Sequence, residues 1–351
     1  MDSAQLLALV GALKGRRVAV IGDVVADEFV YGRVARVSRE APVLILEYDS
    51  TEVVPGAGGN AANNVAALGG HVTLATRVGR DEPATRVLRA LHPRVDRRHV
   101  VRAAKATTTV KTRILAGGVH SARQQVVRID RGVRDALDAA GRAAFGQRAL
   151  RACAGVDAVL VSDYGSGLVT PRLVAEIRAH LKRQGQSTPL LVDTRHRLLQ
   201  YRGLTACTPN ESEVEQALGL RIDDDLRILE RAGRAVLDTT RNRAVLITRG
   251  GRGMALFQKG VPTVHIPIFG SDEIADVTGA GDTVMATMTL ALAAGAGFEM
   301  AARLANYAGG LVVMKRGTAT VSSRELRGAV QADAARRTPR NAGPASTGEP
   351  R

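Results

Sequence analysis

With 351 residues, 45% of them apolar, the chain can bury the core of one large α/β domain or two smaller ones. A net charge of +15 raises the question of nucleic-acid binding, but the basic residues are spread along the whole chain and aromatics make up only 3%, leaving little to stack bases on. Cys153 and Cys207 are far apart, Met1 to Val10 lacks a basic signal-type start, and no apolar run reaches transmembrane length, so a cytoplasmic protein with neither nucleic-acid nor membrane partners is expected.

Residues 17–21 are a short β-branched run closed by Gly22-Asp23, the form of a first parallel strand. Asp23 and Asp27 then follow its carboxyl end, where ligands of open α/β sheets gather, and carboxylates suit sugar hydroxyls, which both donate and accept. Residues 29–54 and 107–129 alternate apolar and polar without a helical period. They are expected as antiparallel strands set apart from the main sheet, forming a lid from about residues 28–54 and 107–130. Between them, Pro55-Gly56-Ala57-Gly58-Gly59-Asn60 leads into a small-residue helix over 61–68, with Asn60 at its opening and Gly69-Gly70 as its stop.

From residue 137 onward helix and strand alternate: helices over 137–153, 172–181 and 213–218, strands over 158–161, 190–192 and 244–248. That order predicts a doubly wound, mainly parallel sheet with helices on both faces. Asn210 and Glu213, three apart at a helix start, fit two readings. They are a capping box, or an amide that meets a phosphate beside a carboxylate that holds Mg²⁺ through water. Residues 248–253, Thr-Arg-Gly-Gly-Arg-Gly, make a glycine turn after a strand, for which an ordinary hairpin suffices.

The most informative stretch is 276–283, Asp-Val-Thr-Gly-Ala-Gly-Asp-Thr, followed by an apolar, small-residue helix over 284–294 whose first turn is 280–283. Glycines let the backbone approach a ligand, and the free N–H groups and positive dipole end of that turn would hold a phosphate. A carboxylate beside a phosphate is repelled unless it has a task. For Asp282 the natural one is to take a proton from an attacking hydroxyl, with simple helix capping as the plain alternative. From residue 328 the chain turns rich in Ala, Arg, Pro and Gly, so one folded unit over 1–327 and a flexible basic tail over 328–351 are expected. There is no Gly-x4-Gly-Lys-Ser/Thr loop, no full dinucleotide glycine set after Gly22 and no nucleophile elbow, and the 7 histidines are scattered.

Together these pieces resemble the ribokinase-like (PfkB) sugar kinases. Residues 56–69 are similar to the family's first signature, residues 276–289 to its second, and Asn210-x-x-Glu213 to its Asn-x-x-Glu motif. The resemblance implies a ribokinase-like α/β fold with a small β lid, ATP as phosphoryl donor and Mg²⁺ near Glu213. Asp282 would be the base, with Gly279, Ala280 and Gly281 as anion hole, while Asp23, Asp27, Gly56 and Asn60 would orient the sugar. Asn210, Thr248, Gly250, Gly253 and Asn306 would line the nucleotide, Asp276 and Thr278 would serve a K⁺ ion as in several relatives, and the lid would meet that of a second subunit in a homodimer.

Further stretches, among them Glu40-Ala41-Pro42-Val43, Lys111-Thr112-Arg113, residues 124–130 and Ser162-Asp163-Tyr164, resemble the branch that phosphorylates the anomeric hydroxyl of heptose 7-phosphate on the way to ADP-heptose. Lys111, Arg113 and Arg128 are then candidates for the 7-phosphate, or plain surface charge on lid strands. The chain departs from that pattern at Arg39, Ser166, Thr194, Arg195 and Thr287. It carries no stretch after residue 327 for the nucleotidyltransferase fused in some relatives, so the kinase alone is expected. Another sugar or sugar-phosphate kinase, a catalytically silent sugar-phosphate sensor, and a nucleic-acid-binding protein whose affinity falls steeply with salt stand as alternatives.

Overall fold

The computed structural model describes residues 3–117, 123–132, 137–185, 187–270, 276–315 and 317–337. Its strands are β1 (Arg17–Gly22), β2 (Val24–Val37), β3 (Leu44–Ala57), β4 (His71–Gly79), β5 (Val95–Ala103), β6 (Thr109–Gly117) and β7 (Gln124–Arg131). They continue with β8 (Ala158–Asp163), β9 (Leu190–Thr194), β10 (Ala206–Cys207), β11 (Ala244–Thr248), β12 (Met254–Gln258) and β13 (Val261–Ile266). The helices are α1 (Ser3–Ala12), α2 (Gly58–Ala67), α3 (Glu82–Arg89), α4 (Ala139–Ala152) and α5 (Pro171–Arg183). After them come α6 (Glu211–Leu218), α7 (Leu226–Thr240), α8 (Ala280–Ala293), α9 (Phe298–Val313) and α10 (Ser323–Arg337).

A nine-stranded sheet runs in the order β13-β12-β11-β10-β9-β8-β1-β4-β5. It is parallel from β11 to β5, and β12 and β13 add an antiparallel edge. β1 shows why both faces are covered. Successive side chains point to opposite sides, so Val18 and Val20 join a core with α2, α8 and α9, while Ala19 and Ile21 join another with α4, α5 and α7. Local chemistry starts the helices: Asp81 caps α3, Asp138 caps α4, Thr170 followed by Pro171 opens α5, and Asp225 caps α7. Among the described residues no helix is long and apolar enough to cross a membrane.

The lid is a separate four-stranded sheet in the order β3-β2-β6-β7. Its outer pairs are antiparallel as expected, but the central pair β2 and β6 is parallel. β6 enters the lid from the β5 edge of the main sheet rather than by a hairpin, which gives it the direction of β2. Gly117 ends β6, and Gly118 after it lies outside the described residues.

The expected tail needs a correction over 328–337. These residues belong to α10, which buries Leu326 and Val330 against the main core, and residues 338–351 lie outside the described residues. The glycine turn at 248–253 joins β11 to β12 as an antiparallel pair through a short 3₁₀ turn, the plain hairpin.

Candidate active site

α8 opens at Gly279, whose φ of 79° is left-handed, a conformation that favours glycine. A Cβ there would also lie 2.5 Å from the Asn60 amide nitrogen, so glycine is what lets α2 and α8 meet. The Ala280 N–H donates to the Val277 carbonyl at 3.2 Å, and Thr283 is the first residue to bond back along the helix, to Gly279 at 3.1 Å. Helix geometry therefore leaves the Gly281 and Asp282 amides without a helical acceptor. Of the expected anion hole, Gly281 carries the open amide and Ala280 does not.

Asp282 is buried in that first turn. Its Oδ2 accepts from the Asn60 amide at 2.9 Å and its Oδ1 from the Tyr164 hydroxyl at 3.2 Å. Asn60 is oriented in turn by Asn64, which donates to its carbonyl at 3.1 Å and its side-chain oxygen at 3.0 Å. Burial pushes the Asp282 carboxyl up to about 7, with Asp27 adding to the rise, while the bonds from Asn60 and Tyr164 and the Lys111 charge pull it back. A carboxylate with that value accepts a proton readily near neutral pH.

The cleft around it, about 400 Å³, is lined by both layers: Asp27, Lys111, Arg113 and Arg128 from the lid, and Tyr164, Asp193, Arg195, Asn210, Glu213, Thr248 and Thr278 from the main sheet side. Lys111 stands over the Tyr164 ring at 5.3 Å, and burial, then Arg195, pushes its ammonium below the usual value. Arg128 pairs with Asp130 on its own strand. Arg113 differs in burial: its ion pair with Asp27 at 2.6 Å is shielded from water while the Arg128 pair is half exposed, so the Arg113 guanidinium is committed before any phosphate arrives. Gly56 makes room for that pair, because a Cβ on it would lie 2.2 Å from the Asp27 carboxylate.

Asp23 and Asn306, expected as ligands, bond to other partners and are not among the residues lining this cleft. Asp23 is buried under residues 164–166 and accepts from the Tyr164 amide at 2.8 Å, the Ser166 amide at 3.4 Å and the Ser166 hydroxyl. Its oxygens hold a loop instead of facing a sugar. Asn306 donates to the Pro267 carbonyl at 2.8 Å and lines a separate cavity with Phe269, Arg303 and Tyr307.

At the other end, Asn210 and Thr248 are bridged as neighbouring strand ends. The capping box is present, with Glu213 N–H to Asn210 Oδ1 at 2.8 Å and Asn210 N–H to Glu213 Oε2 at 2.9 Å, and both residues also line the cleft. The two readings of the pair are thus compatible. Burial raises the Glu213 carboxyl, and burial followed by the nearby Glu213 raises that of Asp193 well above the ordinary range. Two facing carboxylates of this kind suit a cation with phosphates. Among the described residues no three His, Cys, Asp or Glu side chains gather as a metal cage. Gly250 and Gly253 lie just past Thr248 in the hairpin turn, both with positive φ. Asp276 accepts from the Thr278 amide at 2.8 Å and the Gly317 amide at 3.1 Å.

Tyr164, Asp193, Arg195 and Thr208 were not expected in site roles. Their signal was the one used for Asp23, a polar residue just past or at the carboxyl end of a parallel strand, here β8, β9 and β10.

A mainly parallel sheet with a β lid, a glycine-led helix start and a buried carboxylate are what this chain presents, and residues 16–325 match the pfkB family carbohydrate kinases, to which the chain belongs. Its relatives include Bifunctional protein HldE of Geobacter sulfurreducens, 42% identical over 320 residues that cover 89% of this chain and 62% of that protein. The protein of the same name from Caulobacter vibrioides is 41% identical over 331 residues, 93% of this chain and 65% of that one. The chain thus spans less than two thirds of the length of these relatives. In fold it is similar to Arabidopsis thaliana ribokinase complexed with ribose and ATP, with TM-score 0.68 and 18% identity over 91% of this chain and 99% of that one. Phosphofructokinase-2 from Escherichia coli in complex with substrates and products gives TM-score 0.71 and 18% identity with the same coverage.

Proposed function

We propose that this carbohydrate kinase transfers the γ-phosphoryl group of ATP to the anomeric hydroxyl of a heptose 7-phosphate, giving the 1,7-bisphosphate on the way to ADP-heptose. The observation that carries the reading is one cleft holding both a buried base, Asp282, and the cations Lys111, Arg128 and Arg195. The sequence resemblance to the heptose-phosphate branch and the HldE relatives support the choice of sugar.

In this reading the sugar oxygen attacks the γ-phosphorus as the bond to the bridging oxygen of ADP breaks, and Asp282 takes the hydroxyl proton. The Gly281 and Asp282 amides and the dipole of α8 stabilise charge on the transferring group. Asn60 holds the base, Asp27 faces the sugar, and Lys111 with Arg128 and Arg195 takes the 7-phosphate. Asn210, Thr248 and the Gly250 to Gly253 turn meet the nucleotide. Glu213, through water, and Asp193 would hold a Mg²⁺ ion, which would supply neutralising charge to the phosphates. Asp276 and Thr278 would hold a K⁺ ion, each Asp276 oxygen keeping a lone pair beyond the amide it accepts.

Exposed Val34, Val37, Val43, Leu44 and Tyr48 with Val126, Val127 and Ile129 give the lid an apolar surface, which supports a homodimer through it. ADP release should be measured with heptose, hexose and pentose phosphates in turn. The highest kcat/KM is expected with heptose 7-phosphate. A higher value with a hexose or pentose phosphate would move the chain to another sugar-phosphate kinase, and no release with any would leave the silent sensor.

A further inference from the structure

β8 is buried throughout and delivers Asp163 and Tyr164 to the carboxyl edge of the sheet. Two buried carboxylates pin the turn that follows. Asp163 accepts from the Tyr201 hydroxyl at 2.6 Å, the Thr194 hydroxyl at 3.0 Å and the Gly165 amide at 3.1 Å, while Asp23 takes the amides of Tyr164 and Ser166. The Tyr164 ring is further held by Lys111 of the lid at 5.3 Å and Arg195 of the sheet edge at 5.8 Å. Restraints on the backbone of this turn and on the ring together fix where the Tyr164 hydroxyl goes.

We infer that Tyr164 is a positioning residue for the base, its hydroxyl clamping one carboxylate oxygen of Asp282 while Asn60 clamps the other. The inference rests on the kinase reading above, in which Asp282 accepts the sugar proton. A phenol has one proton to give, and this one goes to Asp282 Oδ1 at 3.2 Å. Burial and then the Asp282 charge raise the phenol well above its usual range, so it stays a donor wherever the enzyme works. With Asn60 on Oδ2 at 2.9 Å, the carboxylate cannot rotate without losing a bond, and each oxygen keeps a lone pair for the incoming hydroxyl. Asp23, expected to touch sugar, acts through this turn instead.

The other charged groups that face this carboxylate are Asp27 from β2, Lys111 from β6 and Asp193 from β9, with Arg195 beside Tyr164. Tyr164→Phe keeps all of them, together with the ring that Lys111 and Arg195 stand over, and removes only the donor. Because a bond to the charged form favours it, its loss moves the acid limb of the kcat profile to higher pH by about one unit. Turnover with ATP and heptose 7-phosphate should then fall roughly fivefold at pH 7 and recover near pH 9, with KM for the sugar phosphate little changed. An unmoved limb, whether activity is uniformly reduced or unaltered, overturns the proposal.

Should the wild type not turn over any sugar phosphate, the kinase reading fails by itself, and the clamp is read without catalysis. Infrared titration of wild type minus Asp282→Asn isolates the carboxyl, and the same difference in the Tyr164→Phe background should titrate about one unit higher. Equal titrations overturn the clamp. Should Tyr164→Phe not fold, 3-fluorotyrosine at position 164, a more acidic and stronger donor, should move the limb down, and an unmoved limb again overturns it.

Discussion

Arg113 and Asp27 form an ion pair inside the lid, Nη1 to Oδ1 at 2.6 Å, with side chains only 11% and 7% exposed. Removing one partner of such a pair leaves a buried charge uncompensated, which typically costs about 3–5 kcal/mol. Arg113→Ala should therefore lower the melting temperature and raise KM alike for a phosphorylated sugar and its dephosphorylated analogue. Lys111→Met should instead raise KM for the phosphorylated sugar alone, by roughly ten- to a hundredfold, the loss of a charge-assisted contact. Kinetics of both variants with both sugars check this, and a phosphate-selective effect of Arg113→Ala would return Arg113 to the phosphate site.

Asp282→Asn keeps the shape of the first turn of α8 and one acceptor for Asn60, and removes the base. Turnover should drop by roughly 10²-fold or more, with ATP affinity largely kept. Single-turnover rates and calorimetric ATP binding test this, and a variant that retains half its activity is incompatible with a base at this position.

The same residue sets a stability trend with a definite sign. The Asp282 carboxyl stands at about 7 in the fold against an ordinary 3.8, so the folded chain binds this proton more tightly than the unfolded one. Its contribution is fully present below about pH 4 and is lost as pH rises through about 7. Asp282→Asn should thus melt above wild type at pH 8, by at most about 4 kcal/mol, and the gap should close toward pH 4. Urea unfolding of both proteins at the two pH values measures it, and a constant gap would mean that burial does not penalise this charge.

Most of the architecture was legible because it rests on local signals. The β-branched run of β1, the Gly69-Gly70 stop and the helix and strand alternation after residue 137 each carry their own chemistry, and the elements fall within a few residues of expectation. Asp282, Asn60 and Glu213 were legible because their motifs hold the turns that present them. What was not legible depends on side-chain direction. Asp23 and Tyr164 both stand past strand ends, yet only the fold decides that one holds a loop and the other meets the base. Arg113 looked like Lys111 two residues earlier, and although the register of β2 and β6 sets Lys111 opposite Asp27 and Arg113 opposite Phe29, it is Arg113 that reaches diagonally to Asp27, which the alternation of apolar residues cannot reveal. The part of α10 from residue 328 was read as tail because its Ala and Arg content resembles a disordered segment, whereas Val330, following Leu326, suffices to dock it.

The lid gives the last prediction. β2 leaves the main sheet directly after β1, with only Asp23 between them, and β6 carries Lys111 and Arg113 to the cleft. Thr318, in the loop after α9, donates to Asp27 of the lid across a long 3.4 Å, a bond that can shorten when a sugar fills the cleft. Closure would also exclude water from a phosphoryl donor. Hydrogen exchange of backbone amides in β2, β3, β6 and β7 should slow on adding sugar phosphate, most where β6 and β2 border the cleft. Gly32, opposite Tyr48 and beside a register shift in β2, gives the sheet a place to bend, and it serves equally as an irregularity in a rigid one. Unchanged exchange at normal turnover would make the lid static, and the restraint on idle ATP hydrolysis would then have to come from the α8 amides and Asp282, which act on the γ-phosphate only once a sugar hydroxyl is in place.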